Sequence, residues 1–352
     1  VIAPASFVAG LHLRWDGVRQ RPHHLLTRLG ARIPVVVIEE PLAAPHDRDE
    51  IIDAGGVRVV RPLRARGWAP PLVDAQAIAT ARGLAGDGPH GVWLYTPMME
   101  ALAAAFAAAP LVYDVMDDLT AFDFAPAGMA EHERAVLERA DVVFAGGPTL
   151  YERRKAYGEK VHCHPSGVEF ERFSADVGPH PLVAALAGPR FAYVGVVDER
   201  LDYDLIAALA DAFPHGHVVL AGPIVKVDPA RLPHRANVHY TGRLSYAALP
   251  SLLAGVDVAL MPFAQNRATA AISPTKTLEY FAARTPVVST PIHDVVQLYG
   301  DVAYVAAGED AFVAAVREAL HAPPERIARG LAVARAHAWD AIFDAMWAEL
   351  GF

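Results

Sequence analysis

A short apolar, β-branched run, then a turn, then an Ala/Leu-rich helical stretch: this unit recurs along the chain and constrains the fold more than any other feature. Candidate strands in the first half are Val1–Ala5, Pro34–Ile38, Val57–Arg61, Val92–Tyr95, Leu111–Val115, Asp141–Ala145 and Val161–His164. A second set follows at Phe191–Val196, Val218–Ala221, Val238–Thr241, Val256–Met261, Pro286–Ser289 and Ala303–Val305. Most are continuous apolar runs without alternation, which is how strands covered on both faces read. Strand–helix alternation over this length predicts an α/β fold with parallel sheets.

The chain has 352 residues, too many for one ordinary domain and suited to two. An apolar fraction of 53% with 20% charged residues allows a large core and excludes global disorder. The net charge of −9 argues against a protein that coats nucleic acid. Cys163 is the single cysteine, so no internal disulfide framework and no multi-cysteine metal site is expected. On a strand Cys163 would face away from His162 and His164, and it is expected to be an inert core thiol. Adjacent His23 and His24 cannot share a helix face, so they make no metal site. The longest apolar run, Ala101 to Tyr113, is broken by Pro110 and is too short to span a bilayer. The chain begins at Val1 with no visible signal peptide. A cytoplasmic protein is expected, with peripheral contact at the inner membrane face left open.

Between the two sets of strands, Ser174 to Arg190 carries Gly178-Pro179, Pro181 and Gly188-Pro189 and has little periodicity. The expected division is a first domain over 1–173, a linker over 174–190 and a second domain over 191–334. A final helix from Arg335 toward the C-terminus (335–352) places Trp339, Ile342, Phe343, Met346 and Trp347 on one face. It is expected to pack back on the first domain.

The segment 272–288 is the richest in chemistry. Ser273 can cap a helix whose first turn holds Pro274 and Thr275. Free backbone N–H groups and the positive helix end then converge on one spot, which suits a phosphate. Lys276 sits in that first turn, where a cation opposes the dipole unless an anion is present. The chain has only four lysines against 27 arginines. Glu279, on a neighbouring face, can accept hydrogen bonds from a ribose diol. An ordinary capped helix with solvated charges is the alternative reading.

From Ser273-Pro274-Thr275-Lys276 through Leu278-Glu279-Tyr280 to Pro286-Val287-Val288, the segment resembles the GT-B glycosyltransferases, and within them the family-4-like group. Pro165-Ser166-Gly167-Val168-Glu169 with Phe173 is similar to that group's Pro-Asn-Gly-Val-Asp segment. Tyr193-Val194-Gly195-Val196 resembles the first donor-domain strand. Gly222-Pro223, Asn237-Val238-His239-Tyr240-Thr241-Gly242 and Asp257-Val258-Ala259-Leu260-Met261-Pro262-Phe263 resemble later strand ends. The resemblance covers the second half well and the first loosely. It implies two Rossmann-like domains whose parallel sheets face a cleft. It also implies a sugar moved from a nucleoside-diphosphate sugar, UDP or GDP type, to an acceptor hydroxyl without a metal or other cofactor. In such enzymes the glutamate on this helix grips the donor ribose, here Glu279. Gly195 and a basic residue after its strand, here Arg200, meet the donor phosphates. For Arg200 a salt bridge with Glu199 or Asp202 is the alternative. One departure is clear. Many members carry a second glutamate eight positions before Glu279, where this chain has Ala271, so donor-sugar contacts and anomeric outcome stay open.

In the first half, Tyr113-Asp114-Val115-Met116-Asp117-Asp118-Leu119 ends an apolar strand with three carboxylates. Strand C-termini face the ligand in open α/β sheets, and stacked like charges raise a pKa, which suits a general base. The resemblance puts a catalytic His or Asp near Asp117, which is the candidate base. Asp114 is expected beside the acceptor, although Asp114 and Asp118 could instead orient neighbours or cap a helix. Phe122, Asp123 and Phe124 follow. The stretch Trp15 to Leu26, Arg-Pro-His-His-Leu-Leu at its end, is similar to bacterial enzymes of cell-surface polysaccharide synthesis. The resemblance puts this first β–α loop beside the acceptor. Trp15 suits a sugar face, and Arg19 and Arg21 suit an anionic acceptor or lipid phosphate. Trp15 anchoring the loop in the core is the alternative. Expected partners are a nucleotide sugar and a saccharide, glycolipid or small-molecule acceptor, with no nucleic acid. A GT-B sugar-nucleotide epimerase shares the fold but needs no second substrate. A non-enzymatic bilobal sugar- or nucleotide-binding protein is the other alternative. No Gly-x-Gly-x-x-Gly fingerprint supports a dehydrogenase.

Overall fold

The computed structural model describes residues 3–69, 72–121, 125–225, 227–266, 269, 272 and 275–351. The chain forms two units, one of residues 1–166 with 340–352, the other of 167–339.

The first unit is built on β1 (Ser6–Leu11), β2 (Val35–Glu39), β3 (Leu42–Ala43), β4 (Arg48–Asp53), β5 (Val57–Arg64), β6 (His90–Leu94), β7 (Leu111–Val115), β8 (Val142–Ala145) and β9 (Val161–Cys163). Their order is β3-β5-β2-β1-β6-β7-β8-β9, with β4 antiparallel on β5 and the remaining pairs parallel. β1, β2, β7 and β8 are buried along their whole length, as their unbroken apolar runs require. The chain turns left from β1 to β2 and later returns on the right as β6, so the β1/β6 junction is the switch point of this sheet.

The first strand lies at Ser6–Leu11 and not at the expected Val1–Ala5. Packing selects the small residues of Ser-Phe-Val-Ala-Gly-Leu. A Cβ on Gly10 would sit 2.9 Å from Met99 Sδ, and one on Gly91, the register partner of Phe7 in the β1–β6 pair, 2.4 Å from the Phe7 ring. Cys163, expected in the core, is exposed at the end of edge strand β9.

The second unit carries β10 (Arg190–Val194), β11 (His217–Ala221), β12 (Val238–Gly242), β13 (Val258–Met261), β14 (Val287–Ser289) and β15 (Tyr304–Val305). The order is β12-β11-β10-β13-β14-β15, all parallel, with its switch point between β10 and β13. Both units are therefore Rossmann-like, in accord with the α/β expectation.

The unit border falls at Ser166/Gly167, earlier than 173. Val168, Phe170 and Phe173 are buried in the core of the second unit, and so is Val183 from the stretch 174–190, which forms the short helix Pro181–Ala184. The C-terminal helix expected from Arg335 begins at Trp339 (Trp339–Glu349), and Arg335 and Ala336 instead end the preceding helix Pro324–Ala336. Between them the backbone pairs with Val168, whose N–H donates to His337 O (3.0 Å) while its carbonyl accepts from Trp339 N–H (3.1 Å). A helix cannot run through a strand-like bridge. Residues 340–349 then lie in the first unit. Arg28 reaches Asp340 (2.7 Å), Arg32 pairs with Asp344, and the Arg32 guanidinium lies over the rings of Phe343 and Trp347.

Burial lowers the pKa of His12 to about 4 despite a backbone contact with Tyr95. It lowers that of His164 to about 4 as well, helped by the Arg21 charge. Both groups take up protons more readily in the unfolded chain between pH 6.5 and 4, so stability is lost as pH falls through that window. Denaturant titrations are expected to show a loss on the order of 1 kcal/mol per pH unit there. His164→Gln should flatten the slope. An unchanged slope would exclude His164 as a source.

Candidate functional site

The helix Thr275–Ala282 is fixed at the switch point of the second unit by two buried contacts. The Val194 N–H at the end of β10 donates to the Tyr280 hydroxyl (2.9 Å), and Thr277 Oγ1 lies 2.9 Å from Met261 Sδ at the end of β13. Tyr280 and Thr277 are fully buried. The helix closes with Arg284 in the left-handed region (φ 60°), where a carbonyl-capping turn places Thr285 N–H on Tyr280 O (3.0 Å). The first turn of this helix is thereby held over the ends of β10 and β13.

Lys276 and Glu279 meet on this helix. Lys276 Nζ donates to both carboxylate oxygens of Glu279 (2.8 and 3.0 Å). Lys276 keeps nearly a third of its side chain exposed, whereas Glu279 is buried. Burial pushes the Glu279 carboxyl up, Lys276 opposes that, and the charge of Glu169 adds to it. Glu169 therefore belongs to this site electrostatically. It pairs with Arg172 (3.2 Å), whose guanidinium lies 5.3 Å from the Tyr246 ring centre. Burial, then Glu279 and Glu169, push the Tyr246 hydroxyl above its usual range. Sequence reasoning gave Glu169 no role beyond the resemblance and missed Arg172 and Tyr246, because only the fold brings 169–172 and 246 to residue 279.

Gly195 follows β10, and its N–H donates to Ala221 O (3.0 Å). A Cβ on Gly222 would lie 1.7 Å from Gly195 O, so the two backbones touch and no side chain fits between them. Arg200 grips Asp198 in a bidentate pair (Nε–Oδ1 2.9 Å, Nη2–Oδ2 2.7 Å) with about a third of its side chain exposed. Among the described residues the salt bridge is thus with Asp198 rather than with Glu199 or Asp202. Asp202 caps the helix Tyr203–Ala212 through Leu205 N–H. Thr275 opens the described helix; Ser273, Pro274 and Ala271 lie outside the described residues.

In the first unit the sequence candidates separate. Arg21 and Asp114 are not available to an acceptor. They form a buried ion pair (Nε–Oδ1 2.8 Å) with side chains 1% and 0% exposed, and Arg21 also donates to His164 O (2.7 Å) and reaches Met346 Sδ (3.5 Å). The reason is positional: Arg21 begins the helix Arg21–Gly30 and points inward, and Asp114 lies within β7 rather than past its end. Burial raises the Asp114 pKa against the opposing Arg21 charge, so like-charge stacking is not the cause.

Asp118 is an anchor, bound by Thr120 Oγ1 (2.8 Å), Arg153 and Arg154. Burial alone would raise its pKa, but Thr120 and the two arginines hold it low. Asp117 is half-buried in the turn after β7. Phe122, Asp123 and Phe124 lie outside the described residues.

The loop 12–20 leaves β1 at that sheet's switch point. Arg19 is exposed and Trp15 half-buried, with its ring 5.2 Å from that of His23. Glu39, missed in the sequence, organises this loop. Its fully buried carboxylate accepts from Trp15 N–H (2.7 Å), Arg14 (3.1 Å) and Arg61 (2.7 Å). The signal was a carboxylate pair, Glu39-Glu40, ending an apolar strand as Asp117-Asp118 does.

Two Rossmann-like units, each with its polar residues gathered at the switch point of a parallel sheet, define a GT-B fold. Solved structures agree over nearly the whole chain. A sucrose-phosphate synthase from Thermosynechococcus elongatus superposes with a TM-score of 0.71 at 16% identity, covering 98% of each chain. The E. coli trehalose-6-phosphate structure bound with UDP-2-fluoro glucose does so with 0.69 at 13% identity, again 98% of each. Residues 188–322 match the family model for Glycosyl transferases group 1. The chain is 26% identical over 241 residues to the putative teichuronic acid biosynthesis glycosyltransferase TuaH of Bacillus subtilis (strain 168), a match covering 62% of this chain and 59% of that protein's length. Among the described residues no helix is long and apolar enough to cross a membrane.

Proposed function

We propose that the chain is a glycosyltransferase that moves a sugar from a nucleoside-diphosphate sugar, UDP or GDP type, to an acceptor hydroxyl, in bacterial cell-surface polysaccharide synthesis. The observation that carries the reading is the helix Thr275–Ala282, pinned at the switch point with Lys276 and Glu279 paired on it. The match of residues 188–322 and the similarity to TuaH support it.

The donor occupies the second unit and the acceptor the first. The diphosphate takes Lys276 away from Glu279 and accepts the free N–H groups of the first helical turn. Glu279, released, accepts from the ribose hydroxyls. Gly195 lets the backbone approach the phosphates, and Arg200, turned from Asp198, adds a second charge. In the transfer step the bond from the anomeric carbon to the diphosphate oxygen breaks and one to the acceptor oxygen forms. Charge develops on the leaving diphosphate, where Lys276 and the helix end supply what a metal supplies elsewhere. Asp117 receives the acceptor proton.

A thermal-shift screen with UDP, GDP and ADP and their glucose conjugates tests the donor assignment. Saturating UDP or GDP is expected to stabilise the chain by about 2–3 kcal/mol at a hundred times Kd, read as a rise of a few degrees. No rise with either would remove the donor assignment. Asp117→Asn is expected to keep donor affinity and slow turnover about 100-fold; equal turnover would take Asp117 out of the reaction.

A further inference from the structure

One cluster at the C-terminal ends of β1, β2 and β5 is used by none of the steps above. After β5 the backbone turns, with Gly67 N–H on Arg64 O (2.9 Å), and presents Trp68. Trp68 is 48% exposed, unusual for the largest apolar side chain. It is also fixed. Its indole Nε1–H donates to Glu40 Oε2 (2.6 Å), and the carbonyl of Glu40 accepts from Arg14 (2.5 Å), which also holds Glu39. Arg61 ties the same loop to β5 through Asp16 (3.0 Å) and Glu39. Trp68, Glu40 and the loop 12–20 are thus one bonded assembly beside the sheet's switch point.

That hydrogen bond holds the indole edge at Glu40, and with 48% of the residue exposed an aromatic surface stands in water beside a carboxylate. Such a face suits the C–H side of a pyranose ring, and the carboxylate suits its hydroxyls. A bilayer is the poorer fit. At a membrane interface the indole N–H points to the headgroups, and here that end carries the carboxylate of Glu40.

We propose that Trp68 and Glu40 form a saccharide subsite of the first unit, with a sugar ring flat on the indole and a hydroxyl on the carboxylate. The inference rests on the reading of that unit as the acceptor side and names the acceptor as a saccharide presenting a ring face.

The test is saturation-transfer NMR on the intact chain with two probes, maltohexaose and a hyaluronan octasaccharide, plus flotation with phosphatidylglycerol vesicles. Wild type is expected to transfer saturation to sugar ring protons of at least one probe. Trp68→Ala should weaken that probe about tenfold and Trp68→Phe about threefold or less. UDP or GDP affinity and circular dichroism should stay unchanged in both variants. No sugar contact in wild type, or equal affinity in Trp68→Ala, overturns the subsite. Trp68-dependent capture by vesicles without sugar contact overturns it in favour of a membrane surface. If wild type binds sugar through Trp68 but neither nucleotide, the donor reading fails and the subsite stands.

Discussion

Lys276→Ala is expected to lower kcat/KM about 1000-fold and to weaken UDP or GDP about 10- to 100-fold in calorimetry. The two numbers differ because the lysine acts twice. On the proposed function it gives a charge-assisted hydrogen bond to the diphosphate in the ground state, and in the transition state it meets the charge that grows on the leaving oxygen. The partner exchange limits the ground-state effect: Lys276 already binds Glu279 at 2.8 and 3.0 Å, so a donor gains only the difference. Removing the cation also leaves Glu279 buried beside Glu169, with the Arg172 charge on Glu169 left to offset their repulsion. Its carboxyl pKa should rise further, and a protonated Glu279 is a poorer acceptor for ribose hydroxyls. Lys276→Arg should recover much of the loss, since it restores charge to both partners. If Lys276→Ala binds nucleotide as wild type does, the phosphate does not sit on this helix.

The helix that carries Lys276 and Glu279 was legible because its residues are contiguous. Lys276 and Glu279 lie on one helix, and a lysine opposing the dipole of a first turn is visible without a structure. The α/β class was legible for a similar reason, as buried parallel strands write themselves as unbroken apolar runs. What stayed hidden depends on contacts between distant segments. Nothing local says that Glu169 and Tyr246 come to Glu279, or that Val168 pairs with the backbone after His337 and breaks a helix there. The first strand was missed because Gly10 and Ala9 weaken a strand pattern that packing against Met99 enforces.

Arg21 and Asp114 show the same gap in the other direction. Their residue types suit an acceptor site, and the fold spends them in the core. That placement makes a large and separate prediction. Arg21→Met is expected to destabilise the first unit by about 3–5 kcal/mol in denaturant unfolding, because it leaves Asp114 buried and uncompensated. Asp114 has little else to lean on. Among the described residues its Oδ2 has no hydrogen-bond partner, and neither do the neighbouring Trp93 Nε1 and Tyr95 Oη, although both side chains lie near enough to stabilise its charge. The same guanidinium holds the His164 carbonyl before the unit border and Met346 on the C-terminal helix, so three distant segments loosen together. The double variant Arg21→Met/Asp114→Leu removes both charges and should recover most of the loss, since an apolar pair of similar volume often matches a buried ion pair. Nucleotide affinity in the second unit should be untouched by either variant. An Arg21→Met chain as stable as wild type would mean that the pair is not buried in solution, and would return Arg21 to the acceptor side.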